Sequence, residues 1–255
     1  MRRVLVVIAT AAAVRLGRPT APRTFLRRQG QCTRRQKAAL RELWPRFGVD
    51  VAWNGTLTPA DLFASRGPCV LDVGFGHGES LAGMATRRPH TNYLGVEVHR
   101  PGVAAALLRL AEADAKNVKI CRIDAVALLE SHMAPEPCFD EVCVFFPDPW
   151  TKSGSNKDAP ATGGSGKDEH RRIIRPHTLD LLSARLRPGG FLHVATDVDE
   201  YAEHVRNVVA SDARWTCSVD VDARPAWRPE TMYERRGLDR GRTITDLSFV
   251  LASGA

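Results

Sequence analysis

The chain has 255 residues, of which 44 % are hydrophobic and 25 % are charged. This composition is typical of a globular protein with a buried core, and it excludes a disordered, collagen-like or repeat architecture for the chain as a whole. The net charge of +7 is unevenly distributed, because residues 1–41 contribute +11 and the remainder contributes −4. A basic leading segment on a mildly acidic body predicts either a contact with a polyanion or a targeting signal.

The leading segment also bears on location. Its longest apolar run, residues 4–14, is too short for a helix that spans a membrane, so no membrane partner is expected. Residues 1–22 can be interpreted as a transit peptide, a plain extension or a secretory signal. We expect a cytoplasmic protein, or an organellar one (plastid or mitochondrion) if residues 1–22 are a transit peptide. The six cysteines form no C-x-x-C pair, so no metal site or disulfide framework is expected.

The elements that follow alternate between helix and strand. Thr33 and Gln36 have the spacing of a capping box and predict a helix that extends to Trp44. Further helices are predicted at 79–87, 103–113, 125–132, 177–186 and 200–210, and strands at 69–73, 93–98, 118–123, 139–146, 191–195, 215–221 and 243–251. This order predicts an α/β fold: a Rossmann-like, seven-stranded, mostly parallel sheet with helices on both faces. Because no helix is predicted between the last two strands, we expect an antiparallel hairpin at one edge.

A glycine-rich turn follows the first strand of this sheet. Gly74, Gly76 and Gly78 let the backbone approach a ligand closely, and the helix that begins behind them offers free N–H groups. A dinucleotide fingerprint requires a third glycine at the position of Glu79, so the turn favours S-adenosylmethionine over NAD. A tight turn without any ligand is the alternative.

Acidic residues end the successive strands around this turn. Asp72 precedes it, Glu97 is placed to accept hydrogen bonds from ribose hydroxyls, and Asp124 is placed to accept one from an adenine amino group. Each alone could be only a helix N-cap. Three such acids around one glycine turn favour a cofactor site.

The fourth strand ends in Pro147-Asp148-Pro149-Trp150. The two prolines fix the backbone around Asp148, so its carboxylate is expected to be rigidly presented at the carboxyl edge of the sheet. A polar, glycine-rich loop at 153–168 follows, at the edge where parallel sheets bind ligands. The alternative for Pro147-Asp148-Pro149-Trp150 is a rigid turn with a purely structural role.

Together these motifs resemble the bacterial tRNA (guanine-N7-)-methyltransferase family over residues 23–251. The resemblance is carried by segments 23–30, 71–78, 93–99, 101–103, 145–150, 195–197, 201–202 and 231–237, with Lys152. It implies the class I S-adenosylmethionine-dependent methyltransferase fold and methyl transfer to N7 of a guanosine, conventionally position 46, in the variable loop of tRNA. The expected divisions are an extension at 1–22, a basic arm and helix at 23–68, and a methyltransferase domain at 69–255.

The resemblance also implies roles for individual residues. Asp148 matches the catalytic position, and it shares the cofactor site with Asp72, Glu97 and Asp124 and with the three glycines. The substrate positions are Lys152, Asp197, Thr231, Met232, Tyr233 and Glu234. Candidate RNA contacts are Arg27, Arg28, Asn156, Lys157, Arg171 and Arg172. An insertion at 158–170 separates the basic residues of this last group, which are compact in the family.

The sequence also leads to expectations for the reaction, for alternative functions and for the oligomeric state. Guanine N7 carries an in-plane lone pair and no proton, so positioning is expected to dominate over acid–base catalysis. A methyltransferase with another acceptor, a tRNA-binding protein without activity and an NAD-dependent oxidoreductase are the rivals, and Glu79 disfavours the last. A monomer is the expected state.

Overall fold

The computed structural model describes residues 30–51, 56–150, 171–217 and 224–253. Within them the strands are β1 (Gly48–Val49), β2 (Cys69–Val73), β3 (Asn92–Val96), β4 (Val118–Cys121), β5 (Phe139–Phe145), β6 (Leu186–Thr196), β7 (Trp215–Cys217) and β8 (Thr245–Leu251). The helices are α1 (Arg34–Glu42), α2 (Trp44–Phe47), α3 (Pro59–Leu62), α4 (Glu79–Arg87), α5 (Arg100–Glu112), α6 (Ala125–Ser131), α7 (Pro176–Ser183), α8 (Asp199–Ala210) and α9 (Met232–Asp239).

The strands form one sheet in the order β1-β4-β3-β2-β5-β6-β8-β7. All pairs from β1 to β6 are parallel, and β8 runs antiparallel between β6 and β7. The mostly parallel Rossmann-like sheet and its antiparallel edge are therefore confirmed. The prediction of seven strands was short by one, because the two-residue β1 lies in a segment rich in helix- and strand-breaking residues.

The core lies on both faces of the sheet because the central strands are buried on both sides. Val70 belongs to the cluster under α4 and α5, whereas its neighbour Leu71 belongs to the cluster under α6, α7 and α8. Residues 69–72 of β2 are all buried, which explains the continuous apolar run of that strand. Asp72 is the exception, a carboxylate in the central strand, and it pairs in register with Gly95 and Cys143.

The segment before residue 69 contributes to the same body. The capping box of Thr33 and Gln36 is present, and the Gln36 amide donates to the carbonyl of Pro101 on α5 at 3.3 Å. β1 pairs with β4 and extends the sheet. The domain division at residue 69 remains a prediction, and the proposed extension 1–22 lies outside the described residues.

Two predicted parts of the fold differ from the structure. Residues 188–190, which lie between the predicted helix 177–186 and the predicted strand 191–195, are part of β6. The pairing of β6 with β5 is irregular between Phe139 and Glu141, and Gly189 has φ +78°. Helix α9 lies between the last two strands, where no helix was predicted. Residues 218–221 of the predicted sixth strand lie outside the described residues. No helix that the structure describes is both long enough and apolar enough to cross a membrane.

Candidate methyl-donor site

The glycine turn takes the left-handed backbone that only glycine adopts without strain. Gly74, Gly76 and Gly78 have φ of +74°, +56° and +80°. A Cβ at Gly74 would meet nothing within 4 Å, whereas one at Gly78 would lie 2.5 Å from the Cβ of Ala106 on α5. Gly74 therefore opens space for a ligand, and Gly78 instead allows α4 to pack closely against α5.

A cavity of about 470 Å³ lies at the carboxyl edge of the sheet, beside this turn. The predicted cofactor residues that line it are Asp72, Gly74, Gly76, Glu97, Asp124 and Asp148. Gly78 is not among its lining residues. Residues at the start of α9 also line the cavity. The structure thus brings five elements that are distant in sequence to one site.

Asp72 is the most unusual group in this cavity. Its side chain is fully buried, and neither carboxylate oxygen has a hydrogen-bond partner in the described part of the chain. Burial, together with the nearby charge of Glu97, raises the pKa of Asp72 to about 7. A buried acceptor without a partner is costly, so the site is complementary to a cationic or hydrogen-donating ligand.

Glu97 lies one residue beyond β3 and is held by the backbone. Its carboxylate accepts N–H bonds from Gly76 at 2.9 Å, Val98 at 2.6 Å and His99 at 2.8 Å. Burial raises the pKa of Glu97, and these backbone bonds oppose that effect. A carboxylate offers roughly four acceptor positions, so about one remains for a ligand hydroxyl. This side chain also fixes the glycine turn to the end of β3.

Asp124 combines the two roles that its position in the sequence left open. It is the N-cap of α6, where its Oδ1 accepts from the Ala127 N–H at 3.0 Å. It also lines the cavity. The helix cap fixes the carboxylate at the cavity wall, where the position of Asp124 at a strand end predicts a contact with the adenine amino group.

The turn that carries Asp148 is conformationally strained. Phe146 and Trp150, on either side of Pro147-Asp148-Pro149, have φ of +51° and +43°, which is rare for large side chains. Such strain persists only where the surroundings hold it, and Arg172 is one such contact. Its guanidinium donates to the Pro149 carbonyl at 2.8 Å and to the Trp150 carbonyl at 3.3 Å.

Arg172 therefore does not fit the predicted RNA contact. It is 2 % exposed, and it forms an ion pair with Glu200 on α8 at 2.7 Å. Arg171 instead stacks its guanidinium over the Trp150 ring at 3.7 Å. A buried arginine whose donors are used by the protein is unsuited to bind phosphate, so its contribution is to the shape of the Asp148 turn. Lys152, Asn156, Lys157, Arg27 and Arg28 lie outside the described residues.

Helix α9 brings the C-terminal motif to the cavity. Thr231 caps the helix by accepting from the Glu234 N–H at 3.1 Å, and Thr231, Met232 and Tyr233 line the cavity. The Met232 N–H donates to Glu79 Oε2 at 2.6 Å. Glu79, the residue that disfavours NAD, thus joins the glycine turn directly to the predicted substrate wall.

Two predicted substrate residues face the protein instead of the cavity. Glu234 is 4 % exposed and accepts from Arg228 at 2.6 Å, and Arg228 in turn forms two bonds to Asp246 on β8. Asp197 accepts from Arg242 at 2.7 Å. Neither Glu234 nor Asp197 lines the cavity. Both instead form ion pairs with arginines of the protein, at or near α9.

The described residues hold no group of three or more His, Cys, Asp or Glu side chains that could bind a metal ion. The cavity does fit S-adenosylmethionine. Asp72 is an uncompensated acceptor for its cationic portion, and the space above Gly74 admits a ligand against the backbone. This fold and this site define a class I S-adenosylmethionine-dependent methyltransferase.

Comparison with known proteins is consistent with that class and specifies the family. The sequence model of a family described as "Putative methyltransferase" matches residues 66–247. The tRNA (guanine-N(7)-)-methyltransferase of Halorhodospira halophila is 44 % identical over 239 residues, which cover 92 % of this chain and 97 % of that protein. The protein of the same name from Alkalilimnicola ehrlichii is 40 % identical, with 89 % and 91 % covered. The chain belongs to the family of bacterial tRNA (guanine-N(7)-)-methyltransferases, and its methyl donor is S-adenosylmethionine.

Solved structures are similar in fold. The antibiotic-resistance methyltransferase Kmr has a TM-score of 0.52 and 17 % identity, with 78 % of this chain and 95 % of that chain covered. The aminoglycoside resistance methyltransferase NpmB1 has a TM-score of 0.51 and 16 % identity, with 76 % and 91 % covered. At this identity the likeness supports the fold only.

Proposed function

We propose that this protein transfers a methyl group from S-adenosylmethionine to N7 of guanosine 46 in the variable loop of tRNA. The observation that carries the proposal is that Asp148 and the first turn of α9 line the same cavity as the glycine turn. The resemblance assigns Asp148 and the first turn of α9 to the reacting guanosine. It assigns the glycine turn to the methyl donor. The names and identities of the relatives support the same acceptor.

The proposed reaction requires alignment more than proton transfer. When bound, the sulfonium of the donor supplies an electrophilic methyl group; the N7 lone pair forms the new C–N bond, and the sulfur keeps the electron pair of the broken C–S bond. Asp148 orients the guanine by accepting hydrogen bonds from its N1–H and amino group. No base is needed, because N7 carries no proton. The carboxylates around the cavity favour the positive charge that develops on the purine.

The supporting residues keep this geometry rigid. Arg172 and Glu200 hold the Asp148 turn, and Arg228 holds Glu234 and so the start of α9. Tyr233 is 37 % exposed and lines the cavity, which supports its proposed contact with the acceptor base. Lys152, Asn156, Lys157, Arg27, Arg28 and Arg171 remain proposed RNA contacts, whereas Arg172 is withdrawn from that group.

Two further parts of the proposal concern assembly and location. We propose that the protein is a monomer. We propose that it acts in the cytoplasm, where tRNA is modified, or in an organelle if residues 1–22 are a transit peptide.

The direct test uses the purified full chain, unmodified tRNA and S-adenosylmethionine with a labelled methyl group, followed by nucleoside analysis. We expect labelled 7-methylguanosine, and strongly reduced product with Asp148→Asn. Label in another nucleoside or molecule would assign a different acceptor. Binding of tRNA without any transfer would instead identify a non-catalytic tRNA-binding protein.

A further inference from the structure

The charges around the cavity pose a problem for an RNA substrate. Five carboxyl groups line it, those of Asp72, Glu79, Glu97, Asp124 and Asp148, and burial raises the pKa of Asp72 and of Glu97. Burial and the neighbouring Arg109 guanidinium lower the pKa of His77, so its ring adds no positive charge near neutral pH. Such a wall suits a cationic donor, but it repels the phosphodiester that must approach together with the target base.

Arg236 is the one lysine or arginine among the described residues that line the cavity. It lies one helical turn beyond Met232 on the same side of α9, since residues four apart in a helix are neighbours. It is exposed, so its guanidinium reaches water at the cavity mouth. Arg236 therefore lies at the cavity and is exposed to solvent.

The neighbouring arginines are engaged by protein carboxylates, and Arg236 is not. Arg235 pairs with Glu230 at 3.3 Å and with Glu79 at 3.2 Å, and Arg242 pairs with Asp197 at 2.7 Å. In the part of the chain that the structure describes, Arg236 makes no side-chain hydrogen bond, ion pair or ring contact. An arginine that has no partner at the mouth of an acidic cavity retains its donors for an external anion.

We propose that Arg236 is a phosphate-binding residue, which takes the phosphodiester next to the target guanosine as the base enters the cavity. The inference rests on the proposed function. A guanidinium fork matches two phosphate oxygens with two parallel hydrogen bonds, and it neutralises one backbone charge at the acidic mouth. The contact positions the nucleotide without reading its base. The carboxylate of the methyl donor has related chemistry, and the test separates the two sources.

The test compares Arg236→Gln with Arg240→Gln. Arg240 ends the same helix, is exposed and does not line the cavity, so it is a matched control for the loss of one surface charge. The dissociation constants for unmodified tRNA are measured at several salt concentrations, and the dissociation constant for S-adenosylmethionine is measured by calorimetry. Both variants are first checked for an unchanged melting temperature.

We expect Arg236→Gln to weaken tRNA binding about 10-fold, as for the loss of a hydrogen bond to a charged group. The slope of log K against log salt should become less steep by about 0.7–0.9, the value of one phosphate contact. Donor affinity should stay as in the wild type, and Arg240→Gln should change neither quantity by a comparable amount. Equal effects of both variants would overturn the proposal, because they would indicate a general surface charge.

Two other results would also overturn it. Weaker donor binding with an unchanged salt slope would assign Arg236 to the donor carboxylate. No change in either affinity would leave the arginine without a ligand. A wild-type protein that binds tRNA without methylating it would refute the proposed function. The role of Arg236 would still be decided by the salt slopes, because they measure binding and not methyl transfer. A wild-type protein that does not bind tRNA would refute both.

Discussion

The placement of the methyl donor against the glycine turn predicts different effects for two alanine substitutions. Gly74 and Gly241 have nearly the same left-handed backbone, with φ of +74° and +69°, and a Cβ at either would meet no atom within 4 Å. A non-glycine residue in this conformation costs roughly 1–2 kcal/mol. We therefore expect Gly74→Ala and Gly241→Ala to lose about the same stability, roughly 1–2 kcal/mol, by urea denaturation.

Donor binding should separate the two variants. Gly74 lines the cavity, so its new methyl group occupies space that the donor needs, whereas Gly241 lies beyond the far end of α9. Forcing a methylene-sized group into a close-packed site costs about 1–3 kcal/mol. At 1.4 kcal/mol per factor of ten, the Kd for S-adenosylmethionine should rise roughly 5- to 150-fold in Gly74→Ala.

Titration calorimetry with S-adenosylmethionine measures this difference directly, and Gly241→Ala should bind as the wild type does. If Gly74→Ala bound the donor with wild-type affinity while losing the expected stability, the donor would not lie against this turn. If the two variants differed in stability by more than about 2 kcal/mol, the equivalence of their backbone strain would be wrong.

Three other predictions test the supports of the site. Burial raises the pKa of Asp72 to about 7 from an ordinary 3.8, so the donor-free protein should lose stability as the pH rises from about 4 to 7. Asp72→Asn should remove that loss in urea titrations. If the variant had the same pH profile as the wild type, Asp72 would not be its cause. Arg228→Met removes the arginine shared by two buried carboxylates and leaves Asp246 with His193 and Glu234 with the more distant Arg224. It should cost about 3 kcal/mol of unfolding free energy, and a loss below about 1 kcal/mol would refute the buried network. Glu79→Ala removes the acceptor of the Met232 N–H and should raise the KM for tRNA. Glu79→Gln keeps an acceptor and should raise this KM less. Equal KM values for the two variants would count against a role of this hydrogen bond.

The cofactor side of the site was predictable because its signals are local. The sequence places each of Asp72, Glu97 and Asp124 at or just past the end of a buried strand, and parallel strands bring their carboxyl ends to one edge. The left-handed turn at Gly74 and Gly76 follows from the glycines themselves. The separate role of Gly78 was not predictable, because it depends on Ala106, a residue of the next helix.

The acceptor side was less predictable because its contacts are distant in sequence. The helix of residues 232–239 has only eight residues and contains Gly237, so its own preference for helix is weak. It is held instead by Glu79 and by the buried Arg228. The free guanidinium of Arg236 could have been suspected from its place in the motif 231–237, but only the cavity distinguishes it from the neighbouring Arg235.

The burial of Arg172 illustrates the same limit. In the sequence it is one of two adjacent arginines after a polar loop, and the resemblance to the family implies that both contact RNA. In the structure its charge is compensated by Glu200, and its other donors bond to carbonyls of the Asp148 turn. Adjacent identical residues thus have different surroundings, which no local pattern encodes.

The most direct test of the central claim is methyl transfer to a tRNA in which guanosine 46 is replaced by 7-deazaguanosine, which lacks N7. The normal transcript should accept about one methyl group, located at position 46 by fragment mass spectrometry, and the 7-deaza transcript should bind equally well and accept none. Undiminished transfer to the 7-deaza transcript would contradict the account.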